Sequence, residues 1–217
     1  MTDLNQSHLA HRTDALSRRK VVVGGAIAGF AGALGLSAVT ARPSQAAHNA
    51  KNIEILNIAL YYEHQAIWAY GAAAGLLSDS DVGRAVLAVA LENQADHMEH
   101  RNVLTGVIRG LGGTPVVAED SYDLSAYIER GEGNLDSDVN IAKLALALET
   151  DAAIAYGQEA AQLTIPDLIT AGASIGAVEA SHATLIRAAF KSLGVDLEVV
   201  PSAFINADTR SAWIVPV

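Results

Sequence analysis

Leu60-Tyr-Tyr-Glu63-His-Gln-Ala-Ile-Trp-Ala-Tyr70-Gly71 returns, blurred, as Leu146-Ala-Leu-Glu149-Thr-Asp-Ala-Ala-Ile-Ala-Tyr156-Gly157. Leu, Glu and Ala-Tyr-Gly keep register at an offset of 86 residues, so each copy sets one carboxylate inside an otherwise apolar segment. Each copy also has a sequel. His97-Met-Glu-His100 is followed by Val103, Leu104 and Leu111-Gly112. Glu179-Ala-Ser-His182 is followed by Leu185, Ile186 and Leu193-Gly194, at an offset of 82. The chain reads as a duplicated helix pair whose repeat keeps polar as well as apolar positions.

Over residues 52–77, Ile53, Leu56, Leu60, Glu63, Ile67, Tyr70 and Ala74 recur at three- and four-residue steps, which predicts a helix. Ser78-Asp79-Ser80-Asp81 supplies a turn and an N-cap for a second helix from about Val82 to Leu111. Gly112-Gly113-Thr114-Pro115 stops it. A short connection between two long helices predicts an antiparallel hairpin. Asp136-Ser137-Asp138 caps a third helix that runs to about Leu163, and Pro166 opens a fourth that ends before Gly194. Residues 114–136 show no period and read as a long crossover, with a short helix at Leu124–Glu129. The expected fold is therefore all-α. It is an up-down four-helix bundle over residues 47–194 with one long connection between its second and third helices. Residues 195–217, with Pro201, Trp213 and Pro216, form a tail expected to lie on the bundle.

Composition agrees. The chain of 217 residues is 51% hydrophobic but only 5% aromatic, which suits packed alanine- and leucine-rich helices better than a sheet. It contains no cysteine, which rules out disulfides, thiolate metal sites, iron–sulfur clusters and cysteine nucleophiles.

The first 46 residues are a different material. Ser17-Arg18-Arg19-Lys20 precedes a Gly- and Ala-rich apolar run from Val21 to Val39, then Arg42, Pro43 and Ser44-Gln45-Ala46-Ala47. A basic segment, an apolar run and a small-x-small site make an export signal, and the Arg pair resembles the twin-arginine type. The expected location of the mature protein is periplasmic or extracellular, free of the membrane once the signal is cleaved. The other reading is an uncleaved membrane anchor, for which the many glycines are poorly suited. Val21-Val-Val-Gly-Gly-Ala-Ile-Ala-Gly29 lacks the glycine spacing, the βαβ context and the downstream acid of a dinucleotide loop. Residues 47–217 carry 9 basic and 22 acidic side chains, a net of −13. Such a surface repels phosphate backbones and anionic lipid, so nucleic acid is not an expected partner.

Every long helix contributes polar side chains near its middle: Glu63, then His97 and His100, then Glu149, then Glu179 and His182. Residues three apart share a helical face, so each pair can aim two groups inward. Burying such groups in an apolar bundle is costly unless they pair or bind cations. Oxygen and nitrogen donors without sulfur suit iron or manganese, and zinc less specifically. Tyr70 and Tyr156 stand two turns beyond Glu63 and Glu149 on the same face and are expected to pack in the core, with a redox or hydrogen-bonding role as the other reading. Asp96 and Asn93 lie near the His pair, placed either to orient an imidazole or to face solvent.

This constellation resembles the dinuclear carboxylate site of the ferritin-like superfamily over roughly residues 52–194. It is most similar to exported ferritin-like proteins, whose second helix ends like Leu111-Gly112-Gly113-Thr114-Pro115-Val116. The resemblance implies two iron or manganese ions held by Glu63, His97, His100, Glu149, Glu179 and His182. It also implies an oxidoreductase acting on O2 or peroxide, of ferroxidase, catalase or peroxidase type. One position departs. The family's second helix usually carries Glu-x-x-His, and here that Glu is His97. The alternative from the same resemblance is a non-catalytic metal-binding or stress- and desiccation-related envelope protein. Helical bundles with apolar surface often dimerise, so a homodimer is an expectation from base rates.

Overall fold

The computed structural model describes residues 43–217. The proposed export signal, apart from its last four residues, lies outside the described residues. The elements are α1 (Pro43–Ala74), α2 (Asp81–Gly110), α3 (Ser125–Glu129), α4 (Asp138–Ala160), α5 (Pro166–Ser192) and α6 (Arg210–Trp213). No strand occurs among the described residues, and none of their helices is long and apolar enough to cross a membrane. The four long helices form two antiparallel hairpins, α1–α2 and α4–α5. Each hairpin packs far more extensively within itself than against the other.

The helix ends follow local chemistry. Ser80 caps α2 by accepting from the Gly83 amide at 2.9 Å. Ser137 caps α4 by accepting from the Asn140 amide at 3.2 Å. Pro166 opens α5, where its missing N–H costs nothing. Gly112 and Gly194 follow α2 and α5 with φ of 84° and 87°, the left-handed region that glycine enters freely. The first helix begins at Pro43, well before its apolar period. Ala46, Ala47, His48 and Ala50 are exposed there, so helix propensity carries a stretch that leaves no apolar period.

Two polar clamps set one hairpin against the other. At one end Asp138, at the start of α4, accepts from the Ser78 amide at 2.8 Å and the Ser78 hydroxyl at 2.6 Å. It also accepts from the Ser80 hydroxyl at 3.0 Å. At the other end the fully buried Asn52 of α1 donates to Thr164 Oγ1 at 2.9 Å and accepts from the Thr164 amide at 2.9 Å. These clamps fix the register that brings Glu63 opposite Glu149. Gly83 sits inside the first one. A Cβ there would lie 2.0 Å from the Ser78 carbonyl oxygen. Gly83→Ala is therefore expected to cost about 1–3 kcal/mol by forcing backbone apart, although alanine is the better helix former. A chemical denaturation midpoint at or above wild type would contradict this.

The apolar core includes Ala142 and Leu146 of α4, Ala183, Ile186 and Phe190 of α5, and Trp213 of α6. Residues 195–217 are held by side chains as well as by packing. Arg187, 4% exposed, donates to the carbonyls of Glu198 and Trp213. Arg210 bridges Glu132 of the crossover and Asp151 of α4 through hydrogen bonds of 2.6–2.9 Å.

Candidate metal centre

The bundle brings Glu63 of α1, His97 and His100 of α2, Glu149 of α4, and Glu179 and His182 of α5 into one cluster. All except His100 are buried, and His100 has 12% of its side chain exposed. The donor atoms form two groups, each with all atoms within 4.8 Å of one another. One group is Glu63, His97, His100 and Glu179; the other is His97, Glu149, Glu179 and His182. His97 and Glu179 belong to both. His97 Nδ1 lies 2.7 Å from Glu63 Oε2, and its Nε2 lies 3.3 Å from Glu149 Oε1. Glu179 Oε1 is 3.0 Å from His100 Nδ1, and its Oε2 is 3.3 Å from His182 Nδ1.

Glu179 carries the test of fit. Both of its oxygens are buried without a hydrogen-bond partner among the described residues, as is Nδ1 of His100. Their 3.0 Å approach is an ion-pair distance, but it lacks hydrogen-bond alignment. A buried carboxylate with no donor costs roughly 1–3 kcal/mol or more. A cation between these lone pairs removes that cost, and the oxygen and nitrogen donors suit iron, manganese or zinc. The residues fit a metal.

The electrostatics match. Burial alone would raise Glu63, but His100 and His97 beside it bring it down to about 2. Burial opposes charge on Glu149 too, yet His97 and His182 hold it well below the ordinary carboxylate range. Burial would lower the histidines. The charges of Glu179 and Glu149 instead lift His97 well above its usual value. Glu179 and Glu63 lift His100 to about 9. Asp96, Glu149 and Glu179 lift His182 to about 11. Without a cation, protons on the imidazoles supply the balancing charge.

A surrounding ring orients these groups. His182 Nε2 meets Asp96 Oδ2 at 3.1 Å. A proton donated there leaves the Nδ1 lone pair facing Glu149 and Glu179. The tyrosines are buried in the core as expected, and they also take the hydrogen-bonding role that is the other reading of the chain. Tyr70 of α1 donates to Glu149 of α4, and Tyr156 of α4 donates to Glu63 of α1. Asn93 Nδ2 supports the first of these bonds, 3.0 Å from the Tyr70 hydroxyl. The repeat marks both tyrosines, because the seven-residue step from Glu to Tyr recurs in both copies, but it does not say which carboxylate each one meets. His64 lies at the surface side of α1, with Nε2 3.4 Å from the Val116 carbonyl.

A cavity of about 770 Å³ opens beside the cluster and touches Glu63, His97, Glu149, Tyr70 and Tyr156.

A search of curated proteins finds no match. Among solved structures, the chain is similar to a conserved hypothetical protein, rv2844, from Mycobacterium tuberculosis. The TM-score is 0.57 at 21% identity, covering 72% of this chain and 99% of that one. At that identity the likeness speaks to fold alone. The family of the ferritin-like domain matches residues 51–192, which takes in both hairpins and all six clustered side chains. On that match, and with the duplicated hairpins and the long crossover, the chain belongs to the ferritin-like domain family.

Proposed function

We propose that this is an exported oxidoreductase that binds two iron or manganese ions, one at each ligand group, and acts on O2 or peroxide. The observation that carries the reading is Glu179: a buried carboxylate at the junction of both groups, each oxygen facing a different one and neither hydrogen-bonded. Such ions, when bound, supply paired one-electron changes to small oxygen species. The protein's own contribution is positional. Asp96 holds His182 in one tautomer, and the crosswise tyrosines hold Glu63 and Glu149 at fixed reach. Tyr70 and Tyr156 keep their protons, because burial first and the partner carboxylate next push both well above the ordinary phenol value. The cavity gives a path to the cluster that a closed polar core would lack. Export by the twin-arginine route, which carries folded proteins, would let the metal be chosen in the cytoplasm.

The test is turnover. Protein loaded anaerobically with Fe(II) or Mn(II) is expected to consume O2 or hydrogen peroxide, and Glu149→Ala is expected to abolish this. Metal bound with no turnover of either oxidant would favour the non-catalytic envelope reading instead.

A further inference from the structure

We propose that the cavity between α1 and α4 binds a neutral, elongated apolar organic molecule beside the metal ligands. As a substrate site this rests on the metal-centre reading; as a binding site it does not.

The space is far larger than the small oxidants need. O2 and peroxide are close in size to water, whose share of liquid volume is about 30 Å³. The cavity is about 770 Å³, within the range of roughly 300–1,000 Å³ typical of pockets for organic ligands. It is also built in rather than left over. Ala66 and Ala69 of α1 and Ala152 and Ala155 of α4 all line it. Side chains that small would let two helices close to the short end of the usual interaxial range of about 8–10 Å. The Asp138 and Asn52 clamps hold the hairpins at either end. Between them the Tyr70–Glu149 and Tyr156–Glu63 bonds span the gap.

Shape and charge define the occupant. The crossover contributes Tyr122, Leu124, Tyr127 and Ile128 to the lining, and α2 and α5 contribute as well, so the space is bordered on several sides. A helix about 10 Å across would fill 770 Å³ in only about 10 Å of its length, which argues for a small molecule over a partner helix. No lysine or arginine lines the cavity. The charged side chains at its wall, apart from the ligands themselves, are Asp123, Asp151 and Glu159. Asp151 is already committed to Arg210. Burial alone lifts Glu159 to about 7. An anionic head group finds no counter-ion there, and Asp123 is exposed and already accepts from the Ser125 amide, so the largely apolar wall suits an uncharged occupant.

The probe pair is dodecan-1-ol and dodecanoate, each displacing the neutral dye Nile red from the full-length protein at pH 8. Saturable binding of the alcohol is expected, with the carboxylate at least tenfold weaker. Ala69→Leu and Ala152→Phe should each weaken the alcohol at least tenfold while leaving the melting temperature and metal content near wild type. Absence of saturable binding would overturn the proposal. So would equal affinity for the two probes, or unchanged affinity in both cavity-filling variants. Alcohol binding that persists in metal-free Glu179→Ala, a residue outside the cavity wall, supports the pocket even where the metal reading has failed.

Discussion

Glu179→Ala is expected to remove both metal ions at once and, with them, the stabilisation they confer. The reason is geometric. Glu179 belongs to both ligand groups and offers one oxygen to each, whereas Glu63 and Glu149 each belong to one. A ligand present at 100–1,000 times its dissociation constant stabilises the native state by about 2.7–4.1 kcal/mol. For a domain of this size, each kcal/mol moves the melting temperature by about 2–4 °C. Added Mn(II) or Fe(II) should therefore raise the wild-type midpoint by roughly 5–15 °C and leave Glu179→Ala unmoved. Glu63→Ala is expected to behave differently. It leaves the group of His97, Glu149, Glu179 and His182 complete, so about half the metal and part of the shift should survive. Equal, complete loss in both variants would mean that the two groups do not act separately.

Metal uptake is expected to be steeply dependent on pH. The sign follows from the histidines. His100 is raised to about 9, His182 to about 11, and His97 well above its usual value. All three therefore hold protons at pH 7 in the metal-free protein, and each must release one to present a lone pair to an ion. Loading both groups should release roughly two to three protons per chain at pH 7. Apparent affinity should then rise by about two to three powers of ten per pH unit up to about pH 9, and less steeply above. Calorimetry in buffers of different ionisation enthalpy counts the protons directly. A value near zero would show that the imidazoles are already neutral, or are not ligands. The same shifts set the stability of the metal-free protein. The raised histidines contribute fully below about pH 6.5, and that contribution is lost as pH rises through about 9 and then 11. The lowered Glu63 contributes above about pH 4.5 and is lost as pH falls toward 2.

His97 is where the chain departs from the pattern it resembles, and its geometry shows a consequence. A carboxylate at that position has lone pairs to spare for two groups, whereas a neutral imidazole has one. The 2.7 Å contact to Glu63 is the shorter of its two, and a proton held there leaves Nε2 for the side of Glu149. The two groups are thus unequal by construction. The one with Glu63 and His100 is the less enclosed.

Most of the architecture was legible from the chain because its signals are local. The caps at Ser80 and Ser137, the stops at Gly112 and Gly194 and the repeated apolar period depend on neighbours a few residues away. The six clustered side chains were legible for a related reason: duplication preserved their register, so the second copy tests the first. What escaped is non-local. Nothing near Tyr70 in sequence says that its hydroxyl reaches Glu149, because that bond crosses from one repeat to the other. The Asp138 and Asn52 clamps, which link residues about 60 and 112 apart, are equally invisible until the hairpins dock. The cavity is hardest of all to read, since alanines in a helix signal close packing unless something elsewhere holds the helices apart. The start of α1 was missed for the opposite reason, as a helical stretch with Ala46, Ala47, His48 and Ala50 exposed has no apolar period.

The most direct test of the central claim is the metal content of protein purified from its native compartment without chelators, measured beside Glu179→Ala. Close to two iron or manganese ions per chain in the wild type, and none in the variant, is the expected result. A stable, folded wild type with no bound metal, or a variant that keeps its full complement, would contradict it.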